Sequence, residues 1–228
     1  MGEMQKRFNE YFAKVILENC FPNKFQNIEI SDKPDLRYNG NKIGIEVAYC
    51  MPKRVVEAFN CIKRYEQVAD IPKKTLKKAE KAGVRVEKIG VVWHQDSYGD
   101  NMAIEKTPIR YFLDMVRKKV ERLNSETADY TEMESYELFI NSSIIIPNWF
   151  KEKTFESLKS INNGVRKYDV VYLGVHDQKI FVYNLKEDKY EELLLYGALD
   201  RFAEKAINLL RSEENSNYGI LHGEKRER

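Results

Sequence analysis

The sequence predicts a mixed α/β fold with a small central sheet flanked by helices. Three observations carry this. Residues 4–20 put Phe8, Tyr11, Phe12, Val15, Ile16 and Cys20 at helical spacing. Residues 33–50, KPDLRYNGNKIGIEVAYC, then set Asn39-Gly40 between two runs of strand-forming residues, a strong short hairpin signal. Further on, helical patterns alternate with runs rich in Val, Ile, Tyr and Phe, such as 136–143 (YELFINSS) and 169–175 (DVVYLGV).

The elements follow in order. Pro22 ends the first helix. Residues 26–31 (QNIEIS) suit a first strand, and the hairpin strands span about 34–39 and 42–49. Met51-Pro52 breaks the chain before a second helix over 52–70. A third helix over 72–82 opens at Pro72 and closes at Gly83, the expected asymmetry. Residues 86–93 (VEKIGVVW) read as one strand, followed by the polar loop HQDSYGDN. Its His94, Asp96 and Asp100 match no recognised metal or acid–base spacing, and a turn explains Gly99 and Asn101. The longest helix signal covers 105–124, with Tyr111, Phe112, Met115, Val116, Val120 and Leu123 as its buried stripe. After strand 136–143 come a short helix within 147–161, a hairpin of 169–175 and 179–184 across His176-Asp177-Gln178, and a final helix over about 195–211 before a frayed tail.

A chain of 228 residues suits a single domain, here 1–228, with a basic helical insertion at about 52–104. With 43 % hydrophobic and 32 % charged residues it is globular rather than disordered. No apolar run approaches the ~20 residues that span a bilayer, and MGEMQKRFNEYF lacks a signal-peptide core, so no membrane partner is expected. Cys20, Cys50 and Cys61 are odd in number and show no paired spacing, which points to a reducing cytoplasm. His94, His176 and His222 are too scattered for a zinc site built mainly from His and Cys. There is no Gly-rich phosphate loop and no Gly-x-Ser-x-Gly elbow. The net charge of +2 is uneven: residues 51–124 carry 17 basic and 10 acidic side chains, residues 125–228 carry 14 and 19. A basic block next to an acidic hairpin suits a phosphate backbone, although solvated helix faces would give the same count.

The hairpin carries the chemistry. If Asn39 and Gly40 form a two-residue loop, Tyr38 pairs with Asn41 and Asp35 lies opposite Gly44. Asp35 and Glu46 are then diagonal neighbours on one face, Cβ atoms roughly 7 Å apart, with Gly44 leaving an open pocket between them. A four-residue loop would set the acids directly opposite, and only an odd loop would split them. Two carboxylates so placed suit Mg²⁺. An ordinary half-buried strand with Glu46 facing water shows the same alternation.

The stretch resembles the PD-(D/E)XK phosphodiesterase superfamily, the restriction-endonuclease-like nucleases. Pro34-Asp35 looks like that family's Pro-Asp, and Glu46-Val47-Ala48 like its acid-x-Lys element with Ala48 in the lysine's place. The helix-strand-strand-strand order, and the later basic helix followed by a strand, match that family's core. The resemblance implies a restriction-endonuclease-like fold and Mg²⁺- or Mn²⁺-dependent hydrolysis of nucleic acid, DNA first, in a restriction or defence role. Asp35, Glu46 and the Val47 carbonyl would hold metal, supported by a glutamate of the first helix, Glu18 in preference to Glu10. Lys118 or Lys119, on the basic helix, would replace the missing lysine; otherwise catalysis is lost. Lys73, Lys74, Lys77 and Lys78, on one face of the third helix with Lys81, and Arg117 are the candidate nucleic-acid contacts. A homodimer, common among such nucleases, is a further expectation. The rivals are a non-catalytic nucleic-acid-binding module on the same scaffold and a protein-interaction partner using the acidic C-terminal half.

Overall fold

A computed structural model describes residues 3–62, 68–87, 90–93, 106–142, 144, 146–147, 150–175 and 179–223. The candidates His94, Asp96 and Asp100 lie outside the described residues, as do the 176–178 turn and the last five residues. In chain order the elements are α1 (Glu3–Cys20), β1 (Glu29–Ile30), β2 (Leu36–Tyr38), β3 (Ile43–Cys50), α2 (Lys53–Ile62) and α3 (Lys73–Lys81). They continue with β4 (Val84–Glu87), β5 (Gly90–Trp93), α4 (Ile109–Leu123), β6 (Ser135–Ser142) and α5 (Lys151–Ile161). The last are β7 (Tyr168–Val175), β8 (Lys179–Asn184), β9 (Lys189–Leu194) and α6 (Ala198–Gly223). No helix among the described residues is long and apolar enough to cross a membrane.

The fold is α/β, built on a mixed seven-stranded sheet in the order β1-β2-β3-β6-β7-β8-β9. The β3–β6 and β6–β7 pairs are parallel, and the outer pairs are antiparallel. The parallel pairs need helical crossovers, which α4 and α5 supply. Their apolar stripes cover one face: Phe112, Val116 and Leu123 of α4 and Phe155 and Leu158 of α5 pack with Leu138, Ile140 and Val171. On the other face α1 and α6 cover Ile45, Val47, Phe139 and Tyr172 through Val15, Ile16, Ala206 and Leu210. The centre of the sheet is thus buried on both sides, which is why β6 and β7 read as near-continuous apolar runs.

Between β3 and α4 the chain builds a separate small unit. Val55, Ala58, Ile62, Ala79 and Val84 form its own core, and among the described residues β4 and β5 make a two-stranded sheet apart from the main one. The single strand expected over 86–93 is instead this β4–β5 hairpin, with Val84 paired to Trp93. Of the second helix expected over 52–70, Lys53–Ile62 is helical, residues 63–67 lie outside the described residues, and Val68–Asp70 form a 3-10 turn. The strand expected over 26–31 shrinks to Glu29–Ile30, and the final helix continues to Gly223. The sheet also gains a strand that the pattern hid. In β9, KYEELL, apolar and polar residues do not alternate; pairing with β8 from Lys179↔Leu194 to Asn184↔Lys189 makes it an edge strand.

The hairpin loop is the four-residue alternative, Asn39–Lys42, not the two-residue one. Asn39 and Gly40 both take left-handed φ, +53° and +65°, as this dipeptide permits. Tyr38 therefore faces Ile43, and Arg37 rather than Asp35 faces Gly44. Two things select this register. It pairs Leu36 with Ile45, both fully buried, and it frees the Asn41 and Lys42 carbonyls to accept the amides of Glu134 and Ser135 at 3.1 and 2.9 Å. The even slip keeps every side chain on its face. Nor does Gly44 leave an open pocket. A Cβ there would lie 2.7 Å from Pro34 Cγ and 2.8 Å from Met133 Cγ. Gly44→Ala should cost about 1–3 kcal/mol by overpacking. Because the rigid Pro34 ring precedes Asp35, it should also weaken any activity that depends on Asp35; urea unfolding and an activity assay on the same sample check both.

The α1 face holds an ion pair of its own, with the carboxylate buried and the lysine half-exposed. Glu137, on β6, accepts from Lys24 Nζ at 2.7 Å and from Tyr172 Oη at 2.9 Å. Burial pushes the Glu137 carboxyl above its ordinary 4.5, and Lys24 offsets this only in part. An acid raised in the folded state contributes stability below its unfolded value and loses it as pH rises through the folded value. Glu137→Gln, which keeps the hydrogen bond from Tyr172, should therefore gain on the native protein as pH rises from 4.5 and level off above the raised value. Denaturation midpoints across a pH series would show it; a difference that is flat with pH would refute it.

Candidate active site

Two carboxylates converge where β2 ends. Leu36↔Ile45 is the last β2–β3 pair, so Val47 has no strand beside it on that side. Asp35 takes the place of that strand: its Oδ2 accepts the Val47 amide at 2.8 Å. Asp35 and Glu46 fall next to one another by register and are 6 % and 2 % exposed.

Lys119 meets both from α4. Its ammonium donates to Glu46 Oε2 at 2.6 Å and to the Val47 carbonyl at 3.2 Å, and stands 4.0 Å from Asp35 Oδ2. Its position is set by the helix. Lys119 lies one heptad after Phe112 and one turn before Leu123, both fully buried. Lys118, turned about 100° away by the helical repeat, is exposed. Ala48 lies buried in the layer beneath α4. The ammonium at the acid pair thus comes from the helix, while at position 48 the strand presents only the Ala48 methyl to the apolar layer.

A third acid enters from α1. Glu10 is 6 % exposed, and Lys6 Nζ lies 3.3 Å from its Oε1 and 3.5 Å from Asp35 Oδ1. The contact lacks hydrogen-bond geometry, so Glu10 Oε1 is buried without a hydrogen-bond partner. Burial, and then the charge of Asp35, raise the Glu10 carboxyl above its ordinary value. Burial would lower Lys6, but Asp35 and Glu10 outweigh it and its pKa rises. Tyr130 and Tyr168 complete the wall. Burial and the Glu46 charge hold both phenols protonated, and Tyr130 Oη faces Glu46 without completing a hydrogen bond.

Glu18 is not part of this cluster. It lies eight residues beyond Glu10, about 12 Å along the helix axis. There it binds Lys14 at 2.8 Å and accepts the Ile28 amide at 2.7 Å, closing the turn after α1. The signal favouring Glu10 was present: Ala13 and Leu17, one and two turns on along the same ridge, are fully buried. Arg117 pairs with Asp114 at 2.6 Å, away from the cluster. Lys73, Lys74, Lys77 and Lys78 are exposed on the separate unit, and none has a described ion pair with Asp35 or Glu46.

Two carboxylates and a peptide carbonyl form an all-oxygen donor set of the kind a hard divalent cation takes. Among the described residues no three Asp, Glu, His or Cys side chains are grouped as a ready metal cage. No protein-family model matches the chain, and neither a curated protein nor a solved structure matches it.

Proposed function

We propose that this protein is a Mg²⁺-dependent nuclease that hydrolyses phosphodiester bonds in DNA. The observation that carries the reading is Lys119, whose ammonium lies 2.6 Å from Glu46 and 4.0 Å from Asp35. An acid pair with a lysine is the functional group set of the PD-(D/E)XK nucleases, here with the lysine on α4 instead of at Ala48. The order α1-β1-β2-β3 followed by α4-β6 supports a restriction-endonuclease-like core.

Asp35, Glu46 and the Val47 carbonyl would hold the metal, with Glu10 close behind Asp35. When bound, the ion supplies Lewis acidity at the phosphate and lowers the pKa of a bound water. Lys119 orients the attacking water and meets the charge that develops on the phosphate. Tyr130 and Tyr168, held protonated, keep the wall neutral.

One observation favours a second reading, a nucleic-acid binder that does not cut. The Lys119 ammonium already satisfies Glu46 and the Val47 carbonyl, so it can serve as the resident cation of the acid pair. Plasmid cleavage in Mg²⁺ or Mn²⁺ at low salt separates the two. The native protein should cut, and Asp35→Ala and Glu46→Ala should each lose about 10²-fold or more. A native protein that binds DNA and never cuts it establishes the second reading.

A further inference from the structure

Beside the acid cluster runs an open cleft of about 610 Å³, lined by Lys33, Lys118, Glu121, Arg122, Ser125, Thr127 and Ala128. Its cations are unneutralised: among the described residues, Lys33, Lys118 and Arg122 have no carboxylate within ion-pair distance. Elsewhere on the same helix Arg117 is tied to Asp114. One acid, Glu121, faces three cations, so the cleft is net positive.

The cleft is also built rather than incidental. The Thr131 amide donates to the Lys33 carbonyl at 3.3 Å, and Arg37 donates to Thr131 Oγ1 at 2.7 Å. These bonds fix the loop after α4 against the hairpin. Ser125 and Thr127 share a hydrogen bond of 3.0 Å at the lip, giving hydroxyls beside the cations. Two lining residues, Lys33 and Arg122, tie the cleft to the site. Lys33 stands two residues before Asp35. The Arg122 guanidinium lies 6.0 Å from the Tyr130 ring, and its charge is felt by the same two phenols that feel Glu46.

We infer that this cleft is the track along which a DNA backbone reaches the acid cluster, with Lys33, Lys118 and Arg122 contacting successive phosphates and the free hydroxyl proton of the Ser125–Thr127 pair donating to a phosphate oxygen. Cations and hydroxyls of this kind position a duplex without reading its sequence. Lys118 thus contacts substrate rather than the reacting atoms, and phosphate contact moves from the third-helix lysines to the C-terminal half of α4. The inference rests on the nuclease reading for the identity of the ligand.

The test is anisotropy of a labelled DNA duplex in EDTA, which stops metal-dependent cutting, over a range of salt. The slope of log affinity against log salt should fall by about 0.9 for each phosphate contact removed, so by about 2.7 in the Lys33→Gln, Lys118→Gln, Arg122→Gln triple variant. Lys118→Glu alone, on an exposed helical position, should weaken binding further than Lys118→Gln and covers a triple variant that fails to fold. A native slope in these variants overturns the track, as does loss of slope only when Lys73, Lys74, Lys77 and Lys78 are neutralised together. Binding of RNA but not DNA, or equal competition by inorganic phosphate at matched ionic strength, also overturns it. The two readings fail separately. A native protein that never cuts, with binding lost in the triple variant, ends the nuclease reading and leaves the track. Cutting with an unchanged slope does the reverse.

Discussion

Lys119→Ala should abolish cleavage and destabilise the fold together. Removing a preorganised donor from charge that develops in the transition state costs about 10²–10³ in kcat. Removing one partner of a buried pair leaves an uncompensated charge, here Glu46 at 2 % exposure, which costs about 3–5 kcal/mol. Mg²⁺ separates the two losses. Lys119 contests the Glu46 and Val47 oxygens with any cation, so added Mg²⁺ should raise the melting temperature of Lys119→Ala more than that of the native protein. Stability would then recover while cleavage stayed lost. Lys119→Arg keeps the charge but not the compact ammonium, and should hold stability better than activity. A Lys119→Ala protein that cuts at the native rate would remove Lys119 from the chemistry.

Phe112→Ala should be the costliest apolar change near the site. Phe112 is fully buried on α4, against the sheet and one heptad before Lys119. Phe→Ala in a core costs about 3–5 kcal/mol through lost transfer energy and the cavity left behind. The expected result is a lower urea midpoint with an unchanged m-value, so that stability falls without a change in the unfolded state. Cleavage per folded molecule should fall far less than in Lys119→Ala, because the Lys119 ammonium keeps its own bonds to Glu46 and Val47. A Phe112→Ala protein as stable as the native one would show that α4 is not packed as described.

Both expectations turn on α4, and α4 shows where sequence reading stops. Its periodicity announces the helix and its stripe, because a 3.6-residue repeat is written locally. Of two adjacent lysines, one continues the stripe through Phe112, Val116 and Leu123, which favours Lys119 over Lys118. What the stripe does not reveal is that β3 lies opposite, with Glu46 within 2.6 Å of the ammonium. That depends on a crossover joining residues 73 positions apart.

The hairpin divides the same way. Asn39-Gly40 and the parity of the strands put Asp35 and Glu46 on one face, since period-2 alternation is local and survives an even slip. The loop length was decided from outside, by the amides of Glu134 and Ser135 claiming the carbonyls of Asn41 and Lys42. The filling of Gly44 by Pro34 and Met133 is likewise a contact between distant segments. β9 forms because β8 offers an edge, against a local pattern with two adjacent glutamates. Glu10 rather than Glu18 joins the acids because Lys6, one turn before it on α1, reaches both Glu10 and Asp35, whereas Glu18 closes the turn at Ile28. By itself the sequence determined the class of fold, the helix faces and the pair of acids, all encoded in short-range period and turn chemistry. Register, the choice of supporting acid, the lysine's partners and the cationic cleft were decided only by tertiary structure, because each depends on which distant backbone and side-chain groups compete for the same partner.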